Sequence, residues 1–223
     1  MFDKTIYVIR EPRCGGTFLS SYITNKISER WKVHLSPETP ELFCDTHDFG
    51  ILDREVIHNS KAFVIRIDRR NLTEHMLSMK AAESVRYQFT NLLPEESSNP
   101  LWTRIQNSVI PIELSDVRIY IENKINIELK VLDTITKHNI PYVKIWYEDS
   151  FEDTFDIPML DLYGLCPSKE KNTVATLKLP AYKHNVFPNY NEVSSWMKRI
   201  KDIYIEQNNL SESLGTWITD TVC

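Results

Sequence analysis

The spacing of apolar and polar positions changes several times along the chain, and each change marks an element. Thr5-Ile6-Tyr7-Val8-Ile9-Arg10 is a continuous β-branched and apolar run, of the length and type expected for a strand buried on both faces. Pro12, Gly15 and Gly16 stop that run, and residues 17–23 then take helical spacing, with Phe18, Leu19 and Tyr22 on one side. Residues 42–46 form a short second strand candidate and residues 62–67 a clearer third, each followed by polar residues. Beyond the third, Asn71 can cap a helix with Glu74 three positions on, while Leu72, Met76, Met79 and Ala82 keep helical spacing. From Val117 to about His138 the apolar positions Ile121, Ile125, Leu129, Leu132 and Ile135 predict an amphipathic helix that Asn139 and Pro141 end. Residues 142–147 return to strand, and a last helix begins near Asn191 with Val193, Trp196, Met197, Ile200 and Tyr204 on its buried face.

Strands alternating with helices predict an α/β fold with a mainly parallel sheet, whose ligands sit at the carboxyl ends of the strands. At 223 residues and 42% hydrophobic content, the expectation is one domain spanning 1–223. The stretch at about 90–116, with Pro94, Pro100 and Pro111, reads as an irregular insertion and is expected to act as a lid over an acceptor.

Charge narrows the partners. A formal charge of -5 and a pI near 5.7 argue against a nucleic-acid duplex, which needs a broad basic surface. A small anion needs only a local cluster, and Arg10, Arg13, Arg66, Arg69 and Arg70 fall at the ends of two strand-like segments. Cys14, Cys44, Cys166 and Cys223 contain no C-x-x-C pair and read as reduced thiols. The N-terminus runs straight into a short apolar strand, and no stretch approaches the roughly 20 apolar residues of a membrane span. The expectation is a cytoplasmic protein with no membrane span.

Pro12-Arg13-Cys14-Gly15-Gly16-Thr17, between a strand and a helix start, is suited to an oxyanion. First-turn N–H groups lack helical partners, glycines admit close backbone approach, Thr17 offers a hydroxyl and Arg13 a permanent positive charge. A Walker A loop would need glycine at Arg10 and lysine at Gly16, and a C-x5-R phosphatase loop would need arginine at Ser20. Both patterns fail, which weighs against a P-loop kinase or nucleotide hydrolase. A metal-dependent phosphohydrolase built on His47-Asp48 and His34 is a further alternative, although such enzymes are helical and this pair follows a strand.

In these residues the chain resembles the PAPS-dependent sulfotransferases, whose donor is 3′-phosphoadenosine 5′-phosphosulfate. Their first signature, P-[KR]-x-G-[TGS]-T, is similar to residues 12–17 and holds the 5′-phosphosulfate. Their second is an arginine after a central strand with a serine eight positions later, on the nucleotide 3′-phosphate; Arg70 and Ser78 have that spacing, and Arg69 is an alternative for the arginine. Many cytosolic members carry Lys-Thr-His with a basic histidine, where this chain has Asp45-Thr46-His47. Tyr147-Glu148-Asp149 and residues 186–193 resemble weaker segments of the same family.

The resemblance implies a P-loop-like three-layer fold with a mainly parallel central sheet flanked by helices, and transfer of a sulfuryl group from PAPS, leaving PAP (adenosine 3′,5′-bisphosphate). The acceptor would be a hydroxyl or amine of a small molecule, carbohydrate or lipid, with Phe49, Tyr87, Phe89, Trp102 and Trp146 as candidate pocket residues. The implied catalytic residues are His47 as base and Arg13 as charge stabiliser. The implied donor-binding residues are Arg13, Cys14, Gly15, Gly16, Thr17, Phe18, Arg70, Ser78 and Arg69. No metal is called for, because the moving group carries less negative charge than a phosphoryl group. A catalytically silent module that keeps the nucleotide cradle is the remaining alternative.

Overall fold

The computed structural model describes residues 5–14, 43–84, 105, 107–151 and 183–208. The elements are β1 (Thr5–Arg10), β2 (Phe43–Thr46), α1 (Ile51–Arg54), a 3-10 turn (Val56–His58), β3 (Ala62–Asp68), α2 (Leu72–Ser84), α3 (Leu114–Lys137), β4 (Tyr142–Trp146), a second 3-10 turn (Tyr147–Phe151), α4 (Lys183–Val186) and α5 (Tyr190–Gln207). The expected helix over 17–23 and most of the expected insertion lie outside the described residues. Among the described residues no helix is long and apolar enough to cross a membrane.

The chain divides into two compact units, one of Met1–Arg69 with Leu129–Thr173 and one of Arg70–Glu128 with Val174–Cys223. The first unit contains a sheet of four strands in the order β2-β1-β3-β4. Every pairing in it is parallel, with Ile6 opposite Phe43 and Phe63, and Ile65 opposite Val143. The α/β reading with a parallel sheet therefore holds. The unbroken apolar runs account for it: Ile6, Tyr7, Val8 and Ile9 are buried, as are all seven residues of β3, and a strand buried on both faces cannot alternate. β4, on the edge, buries Ile145 alone. Asn59 steadies the entry to β3 by donating from Nδ2 to the Tyr7 hydroxyl at 3.1 Å.

The second unit is helical among the described residues. Asn71 caps α2 as expected, its Oδ1 accepting the Glu74 N–H at 3.0 Å. Tyr190 at the start of α5 donates its hydroxyl to Glu74 Oε1 at 2.8 Å, and Lys80 of α2 meets Asp116 of α3 at 2.9 Å. His75 is fully buried, with its Nδ1 2.7 Å from the Tyr120 hydroxyl. Of the face expected on α5, Val193 and Met197 are buried.

Helix α3 starts three residues before the expected Val117, where Asp116 Oδ2 accepts the Glu113 N–H at 3.0 Å, one half of a capping box. Its end is a Schellman motif on Asn139, at φ 50°, with Asn139 N–H to Thr136 O and Ile140 N–H to Ile135 O. The expected apolar stripe is corrected in its second half: Leu129 is 37% exposed, while Lys124 and Glu128 are fully buried. Steps of four residues advance about 40° around a helix per step, so 117, 121, 125 and 129 drift off one face. The buried line runs instead through Ile121, Lys124, Glu128 and Val131.

Candidate functional site

In the first unit the chain leaves β1 toward β2 on one side, while β3 lies on the other. Loops that depart in opposite directions open a crevice at the carboxyl ends of the two strands between them, the usual ligand position in an open parallel sheet. Arg10 pairs with Ile67, so β1 and β3 end at nearly the same level. The segment from Glu11 to Cys14 and the residue Arg69 therefore border that crevice.

Arg13 has φ 67°, in the left-handed region. An L-residue there costs roughly 1–2 kcal/mol relative to right-handed backbone, a cost glycine avoids. Cys14 is a free cysteine and fully buried, so any part it plays in a cradle falls to its main chain. Gly15, Gly16, Thr17 and Phe18 lie outside the described residues.

His47 follows β2 directly and is exposed. Its ring meets Arg10 at two points: Nδ1 lies 3.0 Å from the Arg10 carbonyl oxygen and Nε2 3.1 Å from Arg10 Nη1. The segment after it is shaped by Thr46 Oγ1 accepting the Asp48 N–H at 2.9 Å and Asp48 Oδ1 accepting the Gly50 N–H at 2.8 Å. The Arg54 guanidinium on the same carboxylate holds Asp48 below the usual carboxylate range. His47 is thus engaged by Arg10 and Asp48 by Arg54.

Sequence reasoning placed Arg66 in the anion-binding cluster, and the structure corrects this. Arg66 is fully buried, 2.9 Å from Glu11 Oε2 and 3.7 Å from Asp68 Oδ2, and Lys144 Nζ lies 3.0 Å from the same Asp68 atom. Arg66 Nη1 also donates to the Ile67 carbonyl at 3.1 Å. Two acids and two bases thus share a desolvated network at the ends of β1, β3 and β4, and it anchors Glu11, the residue that leads into Pro12 and Arg13. A signal for it was available: a charged residue within an otherwise apolar strand, as in Phe63-Val64-Ile65-Arg66-Ile67, needs a buried partner. The partners themselves come only from strand order.

Arg69 lies with its guanidinium 4.6 Å from the Tyr147 ring centroid, and its Nε is 4.0 Å from Glu148 Oε1. That Nε is buried and has no hydrogen-bond partner, whereas its main-chain N–H donates to Asp68 Oδ1 at 2.7 Å. Of the candidate acceptor residues, Phe49 lies under Arg66 at 4.8 Å and Trp146 under Lys144 at 4.3 Å; Tyr87, Phe89 and Trp102 lie outside the described residues, as does His34.

Arg70 and Ser78 belong to the second unit. Arg70 immediately precedes the Asn71 cap and Ser78 is buried on α2, so the eight-residue step between them spans about 12 Å along the axis. In the same unit, Ile112 donates its N–H to Asn189 Oδ1 at 3.3 Å and accepts from Asn189 Nδ2 at 2.7 Å, and Ile110 N–H reaches Val186 O at 2.7 Å. The described end of the expected lid is thereby tied along residues 186–189, a pairing that nothing in the local sequence announced. Comparison of the chain with protein-family models, with curated proteins and with solved structures found no match.

Proposed function

We propose that the chain is a PAPS-dependent sulfotransferase of P-loop-like, three-layer α/β fold, acting on a hydroxyl or amine of a small-molecule, carbohydrate or lipid acceptor. One observation carries the reading: residues 37 apart in sequence, Arg10 and His47, are in hydrogen contact, which puts a candidate base at the head of the loop that holds Arg13.

The donor set suits an oxyanion. Arg13 holds left-handed backbone that glycine would adopt at lower cost, which points to a use for its side chain. The buried Arg69 Nε lacks an acceptor, which a ligand oxygen would supply, and this favours Arg69 beside the loop while Arg70 and Ser78 remain the candidates for the 3′-phosphate. Bound PAPS supplies an activated sulfuryl group whose S–O bond to the 5′-phosphate breaks as the acceptor oxygen bonds to sulfur. His47 takes the acceptor proton at Nε2. Arg13 offsets the charge growing on the leaving phosphate, and it can stabilise but not donate a proton, since arginine stays protonated.

The test is a thermal-shift titration with PAPS and with ATP–magnesium, followed by an acceptor screen with labelled sulfate. A PAPS response without an ATP–magnesium response, and transfer of label, is the expected result. A response to ATP–magnesium alone would instead favour a kinase-like protein. The second reading, a silent nucleotide-binding module, draws on the engagement of His47 Nε2 by Arg10; donor binding with no label transferred to any acceptor would favour it.

A further inference from the structure

A backbone carbonyl oxygen can only accept and a guanidinium N–H can only donate. The two contacts of His47 with Arg10, Nδ1 to the carbonyl at 3.0 Å and Nε2 to Nη1 at 3.1 Å, therefore fit one tautomer. In that tautomer Nδ1 carries the hydrogen and Nε2 the lone pair. That lone pair is the one a base would use, and the guanidinium covers it.

We propose that Arg10 is a positioning residue for His47: its carbonyl selects the Nδ1–H tautomer, its guanidinium caps Nε2, and an oxyanion that draws the guanidinium away uncovers the base. The inference rests on the reading of His47 as base and extends it by stating when the base becomes available. The two contacts differ in kind, which is what makes the device work. The carbonyl belongs to the end of a strand paired on both sides, so the tautomer persists, while the guanidinium can leave by side-chain rotation. A guanidinium gains Coulomb attraction to an oxyanion that a neutral imidazole does not offer, and can meet it with two N–H groups, so a phosphate or sulfonate oxygen outcompetes imidazole for Arg10. The proton balance is simple: the acceptor proton arrives on Nε2, Nδ1 keeps its own, and an imidazolium results. An uncapped base would be available without donor; a capped one waits for the anion.

The test is long-range 1H–15N NMR of the histidine rings in the full chain at pH 8, with binding of each probe followed by calorimetry. In free protein, His47 should show a protonated Nδ1 and a hydrogen-bonded, unprotonated Nε2. Saturation with PAP or with inorganic pyrophosphate should move Nε2 toward the value of an unbonded ring nitrogen and leave Nδ1 in place. Arg10→Ala, which keeps the carbonyl, should retain the Nδ1–H tautomer, show the shifted Nε2 without anion, and respond no further. A protonated Nε2 in the free wild type overturns the proposal, and so does a bound anion that leaves Nε2 unmoved. If pyrophosphate binds and moves Nε2 while PAP does not bind, the Arg10 device stands and the PAPS reading falls. If PAP binds and label is transferred while Nε2 stays still, the reading stands and the device falls. Binding of neither anion overturns both.

Discussion

Arg13 joins two consequences in one residue. Its side chain is assigned to the leaving phosphate, so Arg13→Ala is expected to lower turnover roughly 100- to 1000-fold, as for loss of one oxyanion donor; full activity in a labelled-sulfate assay would refute that role. Its backbone sits at φ 67°, so Arg13→Gly should be about 1 kcal/mol more stable than Arg13→Ala although both lack the guanidinium. Equal denaturation midpoints for the two variants would contradict the strain. Arg66 behaves oppositely, because its charge serves the fold. Arg66→Ala removes the guanidinium that lies 2.9 Å from Glu11 Oε2 and leaves Asp68 to Lys144, and the expected loss is about 3–5 kcal/mol, read from urea unfolding. At this scale the sequence was informative about residue type and uninformative about partner. Arg13 and Arg66 are both arginines near strand ends, and their burial, partial for Arg13 and complete for Arg66, is what the sequence does not distinguish.

Among the elements, the link between α2 and α5 carries a pH signature. Burial, and then the hydrogen bond to Glu74, push the Tyr190 phenol up to about 12 from its ordinary 10.0. The folded value exceeds the unfolded one, so the stability this group contributes is fully present below pH 10.0 and is lost as pH rises toward about 12. Tyr190→Phe is expected to cost about 1–2 kcal/mol at pH 8 and to remove a late component, near pH 12, from a tyrosinate absorbance titration. An unchanged titration would place the late component elsewhere. Most element boundaries were legible, because caps are local: Asn71 and Asn139 act within a few residues of themselves. The two departures on α3 have different origins. The early start depends on the Asp116 side chain reaching back to Glu113, a local signal that apolar spacing alone does not register. The shifted face follows from helix pitch, and its buried Lys124 and Glu128 run against any apolar template.

For the whole molecule, the proposed donor contacts predict linkage between binding and folding. PAP at 100 times its dissociation constant should stabilise the chain by about 2.7 kcal/mol, and Arg70→Ala should weaken PAP by about 1.5–3 kcal/mol, the range for a charge-assisted hydrogen bond. An unchanged dissociation constant in Arg70→Ala would move the 3′-phosphate contact to Arg69. What the sequence determined by itself was the set of short-range choices: which runs are strands buried on both faces, where helices are capped, and that a glycine loop with an arginine follows the first strand. These depend on neighbours a few positions apart, so they are written in the chain. Only the tertiary structure decided that β1 stands between β2 and β3, because pairing across 37 or 55 residues has no local signature. That order brings His47 onto Arg10 and closes Arg66 onto Glu11.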